Sequence, residues 1–448
     1  MLFQQQQLVL VLLLISSLNS SLSCCWAMSS SVYPAIQTPR GTADVGGGGG
    51  TTAGGDTTTT YSSSSYPGIL NYVHRHVHQA HIRRSTTGDD DNEITATTTT
   101  TTTTSADEED DTATTTNIWQ PVELMVHNAR QRRSSPNGKE CHLDREGCTL
   151  VNAPLSSSSS SSSLDFLDSA QVVDEYYAWC EDFLQHYLKQ QQPGNNNNNN
   201  NKNVQVWAFD HNIRMAAVPR EQRELRHGGG STVQGPLGVV HGDYTAISAP
   251  RRLHDLAHQP PKANDVWRHR TSRKNDDHQA SLLDPTVVQQ ALAGKRRYAV
   301  MNIWRSIDTV HPVTSYPLAF VNAQTVTVPD DVRTLQIHYT DRVGENYLCV
   351  APSEQQQQHE WLFYPRMTFD EVLLIKQWDS AGKWAKTCDG SSSSSANEVN
   401  KKDDDDDNTV STFCIHSAFG LPSDAEPNPQ PRKSIEVRCV CIWDADEE

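Results

Sequence analysis

The spacing of apolar positions divides this chain into one long helix and a succession of strands. In "DSAQVVDEYYAWCEDFLQHYLKQ", residues 168–190, the side chains Val172, Val173, Tyr176, Tyr177, Cys180, Phe183, Leu184, Tyr187 and Leu188 recur at helical spacing. Asp168 is placed to cap that helix. A second helix is expected over residues 368–378, "TFDEVLLIKQW", where Thr368 and Glu371 fit a capping box and Met367 with Val372 a hydrophobic staple. Six segments rich in β-branched and aromatic residues read as strands: 204–211, 297–307, 334–340, 346–352, 360–365 and 433–443. Strands follow one another without regular strand–helix alternation. The fold class expected is therefore mainly β with packed helices, a sheet sandwich rather than a doubly wound α/β domain.

Composition restricts where that domain lies. Residues 29–117 are dominated by Ser, Thr, Gly and Asp, with runs such as Gly46–Gly50 and Thr97–Thr104. Such a segment buries too little apolar surface to offset its chain entropy, so a disordered leader is expected there. Residues 118–448 are expected to form the folded domain, with low-complexity loop insertions at 156–163, 195–201 and 391–407. Residues 1–28 carry an apolar core, Leu8–Ile15, followed by small residues. They resemble a cleavable secretory signal, although a basic leading region is missing. The expectation is passage into the secretory route, to the endoplasmic reticulum, the exterior or an organelle beyond, with no stable membrane span once the signal is removed. The alternative is an apolar N-terminus on a soluble protein.

The formal net charge of −17 argues against a nucleic-acid partner held through phosphates. The ten cysteines include no CxxC pair, so a structural zinc site is not expected. Cys141 and Cys148 flank a polar turn and are either a disulfide or two buried thiols.

The chemistry sits in "GPLGVVHGDYT". His241 and Asp243 stand two apart at the end of an apolar run, with Gly242 between them to permit a backbone bend. Alone, this spacing describes a strand end as well as a metal site. Two later features change the balance. His416 follows a short apolar stretch in "STFCIHSAFGLP", and Arg432 with Ser434 opens the last predicted strand, both on one face. Two His and one carboxylate are the facial ligand set of non-heme Fe(II) oxygenases, which leave other positions open for co-substrate and O2. An Arg fork and a hydroxyl suit the distal carboxylate of 2-oxoglutarate. Arg438, on the same face as Arg432, is the second candidate for that anchor. The competing reading is a satisfied core histidine and a surface arginine. Arg305 is expected in a structural salt bridge, with contact to a substrate or co-substrate carboxylate as the alternative, His211 at a strand end, and Tyr244 either in the core or lining a pocket. The histidines at 74, 76, 78 and 81 fall outside the expected domain, where a solvated tail is expected, although the cluster's composition permits loose metal binding.

Taken together, "CHLDREGCTLV", "VQVWAFDHNIR", "VVHGDYT", "YAVMNIWRSI", "YPLAFVNAQTV", "WLFYPRMTFDEVLLIKQWDS", "HSAFGLP" and "PRKSIEVR" resemble the hydroxylase/desaturase family of natural-product biosynthesis, related to the cephem 7α-methoxylase chain and a fungal gibberellin desaturase. They run in family order over roughly residues 118–448. The resemblance implies a double-stranded β-helix (jelly-roll) core, Fe(II) and 2-oxoglutarate as cofactors, and His241, Asp243 and His416 as iron ligands. It implies hydroxylation or desaturation of a small-molecule substrate with O2. Some members are labelled methyltransferases, but this chain has no Gly-rich strand-to-helix loop for an adenosyl cofactor. A non-catalytic jelly-roll binding protein is the remaining alternative.

Overall fold

The computed structural model describes residues 34–39, 63–83, 93–98, 117–132, 140–155, 164–191, 203–218, 224–227, 233–258, 281–339, 343–388 and 409–445. The apolar run Leu8–Ile15 and the insertions 156–163, 195–201 and 391–407 lie outside the described residues.

Two sheets face each other. In chain order the strands are β1 (Ser65–Val73), β2 (Val77–Arg83), β3 (Glu93–Thr98), β4 (Trp119–Asn128), β5 (Cys148–Asn152), β6 (Val204–Met215), β7 (His241–Gly242), β8 (Tyr298–Ser306), β9 (Leu318–Val321), β10 (Val332–His338), β11 (Val343–Cys349), β12 (Trp361–Phe363), β13 (Glu371–Asp379), β14 (His416–Ala418) and β15 (Lys433–Trp443). One sheet runs β5-β13-β8-β15-β6. The other runs β1-β4-β12-β9-β14-β7-β11-β10-β2-β3. Successive strands β6 to β9 and β12 to β15 cross between the sheets, which is the jelly-roll path. Phe209, Val300 and Val440 from the first sheet share a core with Ala319, Val321, Tyr347 and Phe363 from the second.

The period of two in β15 decides what faces that interior. Val440 and Ile442 join the core between the sheets, while Ile435, Val437, Cys439, Cys441 and Trp443 join the opposite face. That outer face is covered by the predicted helix. It begins at Ser169, passes through a π turn at Val172–Tyr176 and continues to Gln190, packing Tyr177, Cys180, Leu184 and Leu188 against the sheet. Asp168 caps it by accepting from the Ala170 N–H at 2.9 Å. All six predicted strands are present.

Two expectations are corrected. Residues 368–378 are not helical: Glu371–Asp379 is the strand β13. Its residues from Val372 to Asp379 are all buried, because the core lies on one face and the helix layer on the other. A run buried on both sides shows no period that separates helix from strand. The capping-box hydrogen bond does form, Thr368 N–H to Glu371 Oε2 at 2.9 Å, but it closes the turn that precedes the strand.

The leader is also not uniformly outside the fold. Tyr66, Leu70, Tyr72 and Val73 of β1 are buried, and β1 pairs antiparallel with β4. β2 pairs in parallel with β10. Their apolar residues alternate correctly for a half-buried sheet, but the flanking Ser/Thr/Gly tracts hide that signal in a composition average. The histidines expected in a solvated tail are therefore placed by strands: His81 Nδ1 lies 3.2 Å from His338 Nε2, and His74 stacks on His76.

Candidate metal centre

β7 lies between β14 and β11, and His416 is the direct cross-strand partner of His241. Their rings lie with centroids 4.4 Å apart. Each ring is oriented from behind by a backbone carbonyl. His241 Nδ1 donates to Val239 O at 2.7 Å, and His416 Nδ1 donates to Cys414 O at 3.3 Å. Both Nε2 lone pairs are thereby left to serve as ligands. Asp243, two residues beyond His241, brings Oδ1 to 3.5 Å from His241 Nε2. One ligand atom from each of His241, Asp243 and His416 lies within 4.8 Å of the others. Gly242 does not supply unusual backbone angles. It supplies room: a Cβ there would meet Ile415 Cδ1 at 3.2 Å.

The carboxylate is held on one side only. Asp243 Oδ2 accepts from Asn302 Nδ2 at 3.0 Å and from Arg438 Nε and Nη2 at 3.3 Å each. Three donors on Oδ2 leave Oδ1 as the atom available to an ion. Burial alone would raise the Asp243 carboxyl, but the Arg438 guanidinium and the nearby histidines hold it well below the usual carboxylate range. Burial, then the neighbouring His241, pushes His416 down to about 3, so its imidazole is neutral at physiological pH. Two imidazoles and one singly available carboxylate oxygen fit a divalent transition metal bound on one face. Asn302 Oδ1 and Gln377 Nε2 also fit an added group. Both are buried without a partner, while the opposite ends of the same amides contact Asp243.

Arg432 and Ser434 are together, as the sequence places them: Arg432 Nε donates to Ser434 Oγ at 3.1 Å and Nη1 to Tyr316 O at 2.7 Å. The guanidinium is buried against the Trp304 ring, 5.3 Å from its centroid. Among the described residues no carboxylate forms an ion pair with it. Burial, with Arg214 close by, pushes it down to about 9. Arg438 differs. It ion-pairs with Asp210 at 3.0 Å, Glu436 at 3.2 Å and Asp243 at 3.3 Å. A cation shared by three carboxylates has little charge left for a diacid, and two of its nitrogens hold Asp243.

Among the described residues Arg305 makes no salt bridge. Its guanidinium donates to Tyr176 Oη, Phe369 O and Ala153 O on the outer face and lies 4.6 Å from the Trp179 ring centroid. His211 is mid-strand in β6, bonded to the Tyr177 hydroxyl at 2.9 Å. Tyr244 packs at the edge of the inner core. Asn302, Gln377, Arg214 and Glu436 do not stand out in the sequence. The available signal is a polar residue inside an otherwise apolar strand, as in "YAVMNIW" and "LLIKQW".

A protein-family model described as "Oxidoreductase/YMDC permease-like domain" matches residues 86–276 and 272–403. No helix among the described residues is long and apolar enough to cross a membrane. The chain is 31% identical over 188 residues to the "Uncharacterized protein in dcmA 3'region" of Methylophilus leisingeri, covering 42% of this chain and 72% of that protein. It is 32% identical over 158 residues to the hydroxylase/desaturase CTB9 of Cercospora beticola, covering 34% of this chain and 39% of that protein. The match thus spans well under half of the latter's length. The chain is 23% identical to the Fe(II)/2-oxoglutarate-dependent dioxygenase nvfI of Aspergillus novofumigatus, over 72% of this chain and 84% of that one. A solved structure, the iron and alpha-ketoglutarate-dependent endoperoxidase NvfI in a different conformation, superposes with a TM-score of 0.51 at 19% identity, covering 86% and 99% of the two chains. That likeness supports the shared fold.

Proposed function

The chain belongs to the family described as oxidoreductase/YMDC permease-like domain, and from that premise we propose that it is an Fe(II)/2-oxoglutarate-dependent oxidoreductase that hydroxylates or desaturates a small molecule. The observation that carries this reading is the cross-strand pair His241–His416 beside an Asp243 with one oxygen clamped and the other free. Relatives named hydroxylase/desaturase and Fe(II)/2-oxoglutarate-dependent dioxygenase support it.

In this reading His241, Asp243 and His416 hold the iron. Bound iron with 2-oxoglutarate and O2 supplies the oxidising power that removes hydrogen from an unactivated carbon. The residues of the chain supply position and a dry site. Val239 O and Cys414 O fix the two imidazole tautomers. Asn302 and Arg438 keep Asp243 ionised and occupy Oδ2, so that Oδ1 would be the atom offered to the iron. Arg432 and Ser434 offer a buried cation and a hydroxyl to the far carboxylate of 2-oxoglutarate.

The test is anaerobic. Fe(II) and 2-oxoglutarate added to the full chain should give the weak visible charge-transfer band of the chelate. Asp243→Ala should abolish it, and His416→Ala should abolish substrate-dependent oxidation. A folded His416→Ala variant with normal turnover would overturn the assignment.

A further inference from the structure

The loop 140–148 places three thiols in a row behind the second histidine. Cys141 and Cys148 are free and buried, and both belong with Cys414 to one buried cluster. The turn between them is tightly made. Arg145 and Glu146 both donate their N–H to His142 O, and the buried Glu146 carboxylate accepts the His142 N–H at 2.7 Å. That turn brings both cysteines into one buried cluster although they stand seven positions apart in the sequence.

The two thiols are not equivalent. Arg132 Nη1 lies 3.6 Å from Cys141 Sγ, and the Arg132 side chain reaches partly to solvent. The Cys148 hydrogen bond, with the Tyr364 bond and the Arg132 charge, outweighs burial and brings the Cys141 thiol down to about 7. Burial holds the Cys148 thiol up. One sulfur is therefore the more acidic and lies beside a cation, and its neighbour in the same cluster is held as the thiol. A reactive cysteine paired with a resolving one has this asymmetry.

We propose that Cys141 and Cys148 form a peroxide-sensitive dithiol, a modification site separate from the metal centre. The Cys141 thiolate attacks one oxygen of hydrogen peroxide, breaking the O–O bond. Hydroxide leaves, takes a proton to become water, and Cys141 becomes a sulfenic acid. The Cys148 sulfur then attacks Cys141 Sγ. The S–S bond forms as the S–O bond breaks, and the departing oxygen leaves as a second water carrying the Cys148 proton. Two thiols lose two electrons and one peroxide gains them.

Its position gives the oxidation somewhere to act. Gly147, at φ +82°, lies so close to Cys414 that a Cβ on it would stand 2.9 Å from the Cys414 Cβ. The Cys414 carbonyl in turn orients His416. The inference does not rest on the oxygenase reading, because the dithiol reacts with peroxide whether or not a metal is bound.

The experiment uses the reduced full chain with a chelator present. It is treated with hydrogen peroxide, quenched with N-ethylmaleimide in denaturant and digested with trypsin without reductant. Trypsin cuts after Lys139 and Arg145, so the bond would join peptide 140–145 to the peptide that begins at Glu146. The expected result is that linked pair, lighter by two hydrogens, and its disappearance on adding dithiothreitol. Cys148→Ser should instead leave a Cys141 sulfenic acid that dimedone captures. Recovery of both cysteines as alkylated thiols, under peroxide that oxidises the exposed Cys388, overturns the proposal. So does a bond from Cys148 to Cys414 in place of Cys141.

Discussion

Replacing Arg432 with Met should move stability and co-substrate binding in opposite directions. The side chain is 3% exposed and has no ion-pair partner among the described residues. Its fall from 12.5 to about 9 corresponds to about 5 kcal/mol spent in keeping the charge buried. The folded value lies below the unfolded one, so the unfolded chain binds more protons between those values. Stability rises with pH through that window, and the full penalty is present at every pH below about 9. Met removes the penalty and keeps much of the volume. It also removes the hydrogen bonds to Tyr316 O and Ser434 Oγ, together worth about 2–3 kcal/mol. The net gain for the metal-free chain is then about 2 kcal/mol, in the range found when buried ions are exchanged for apolar residues. Thermal unfolding should show a midpoint higher by a few degrees. The Met variant offers no guanidinium to the far carboxylate, and without that buried ion pair 2-oxoglutarate should bind roughly 10²–10³-fold more weakly, read from the anaerobic charge-transfer band. A variant that unfolds more easily and binds 2-oxoglutarate as well as before would refute the reasoning, and Arg432 would be a structural residue.

Further outcomes follow from the same geometry. Asn302→Ala removes one of three donors on Asp243 Oδ2 and should weaken Fe(II) binding about 10-fold or more, measured by metal titration of the folded chain. Burial pushes His211 down to about 4 from 6.5, so the unfolded chain carries the extra proton between those values. Stability should fall by about 3 kcal/mol as pH falls through that window, and His211→Gln should flatten the slope in acid unfolding curves. Gly147→Ala combines positive φ with a 2.9 Å clash on Cys414 and should destabilise the chain by about 2 kcal/mol or more in denaturant titrations.

Much of the centre is legible in the sequence because its parts are local. His241 and Asp243 are two apart, and His416 follows its own short apolar run, so each fragment carries its signal in a few residues. The RxS pair is legible for the same reason. What is not legible depends on pairing. Nothing near residue 302 or 438 points to residue 243; β8 and β15 lie in the sheet that faces β7, and the clamp on Asp243 exists only because the two sheets pack. Arg432 and Arg438 look interchangeable in "PRKSIEVR", but only Arg438 has three carboxylates around it in the folded chain. β13 imitates a helix in sequence because both of its faces are covered. β1 and β2 escape notice because short apolar alternations are diluted by the tracts around them.

The parallel ladder between β2 and β10 has a consequence for synthesis. His81 meets His338, a partner 257 residues further along the chain. At about 5–20 residues per second, a ribosome needs roughly 10–50 s to make the second after the first. Throughout that interval one edge of β2 has no neighbour. β3 pairs with the other edge and is available almost at once. The hairpin must therefore wait in a half-finished state, where unpaired edges invite other chains. Production that slows elongation or crowds nascent chains should lose soluble protein first through this early hairpin, long before the residues of the metal centre have been translated.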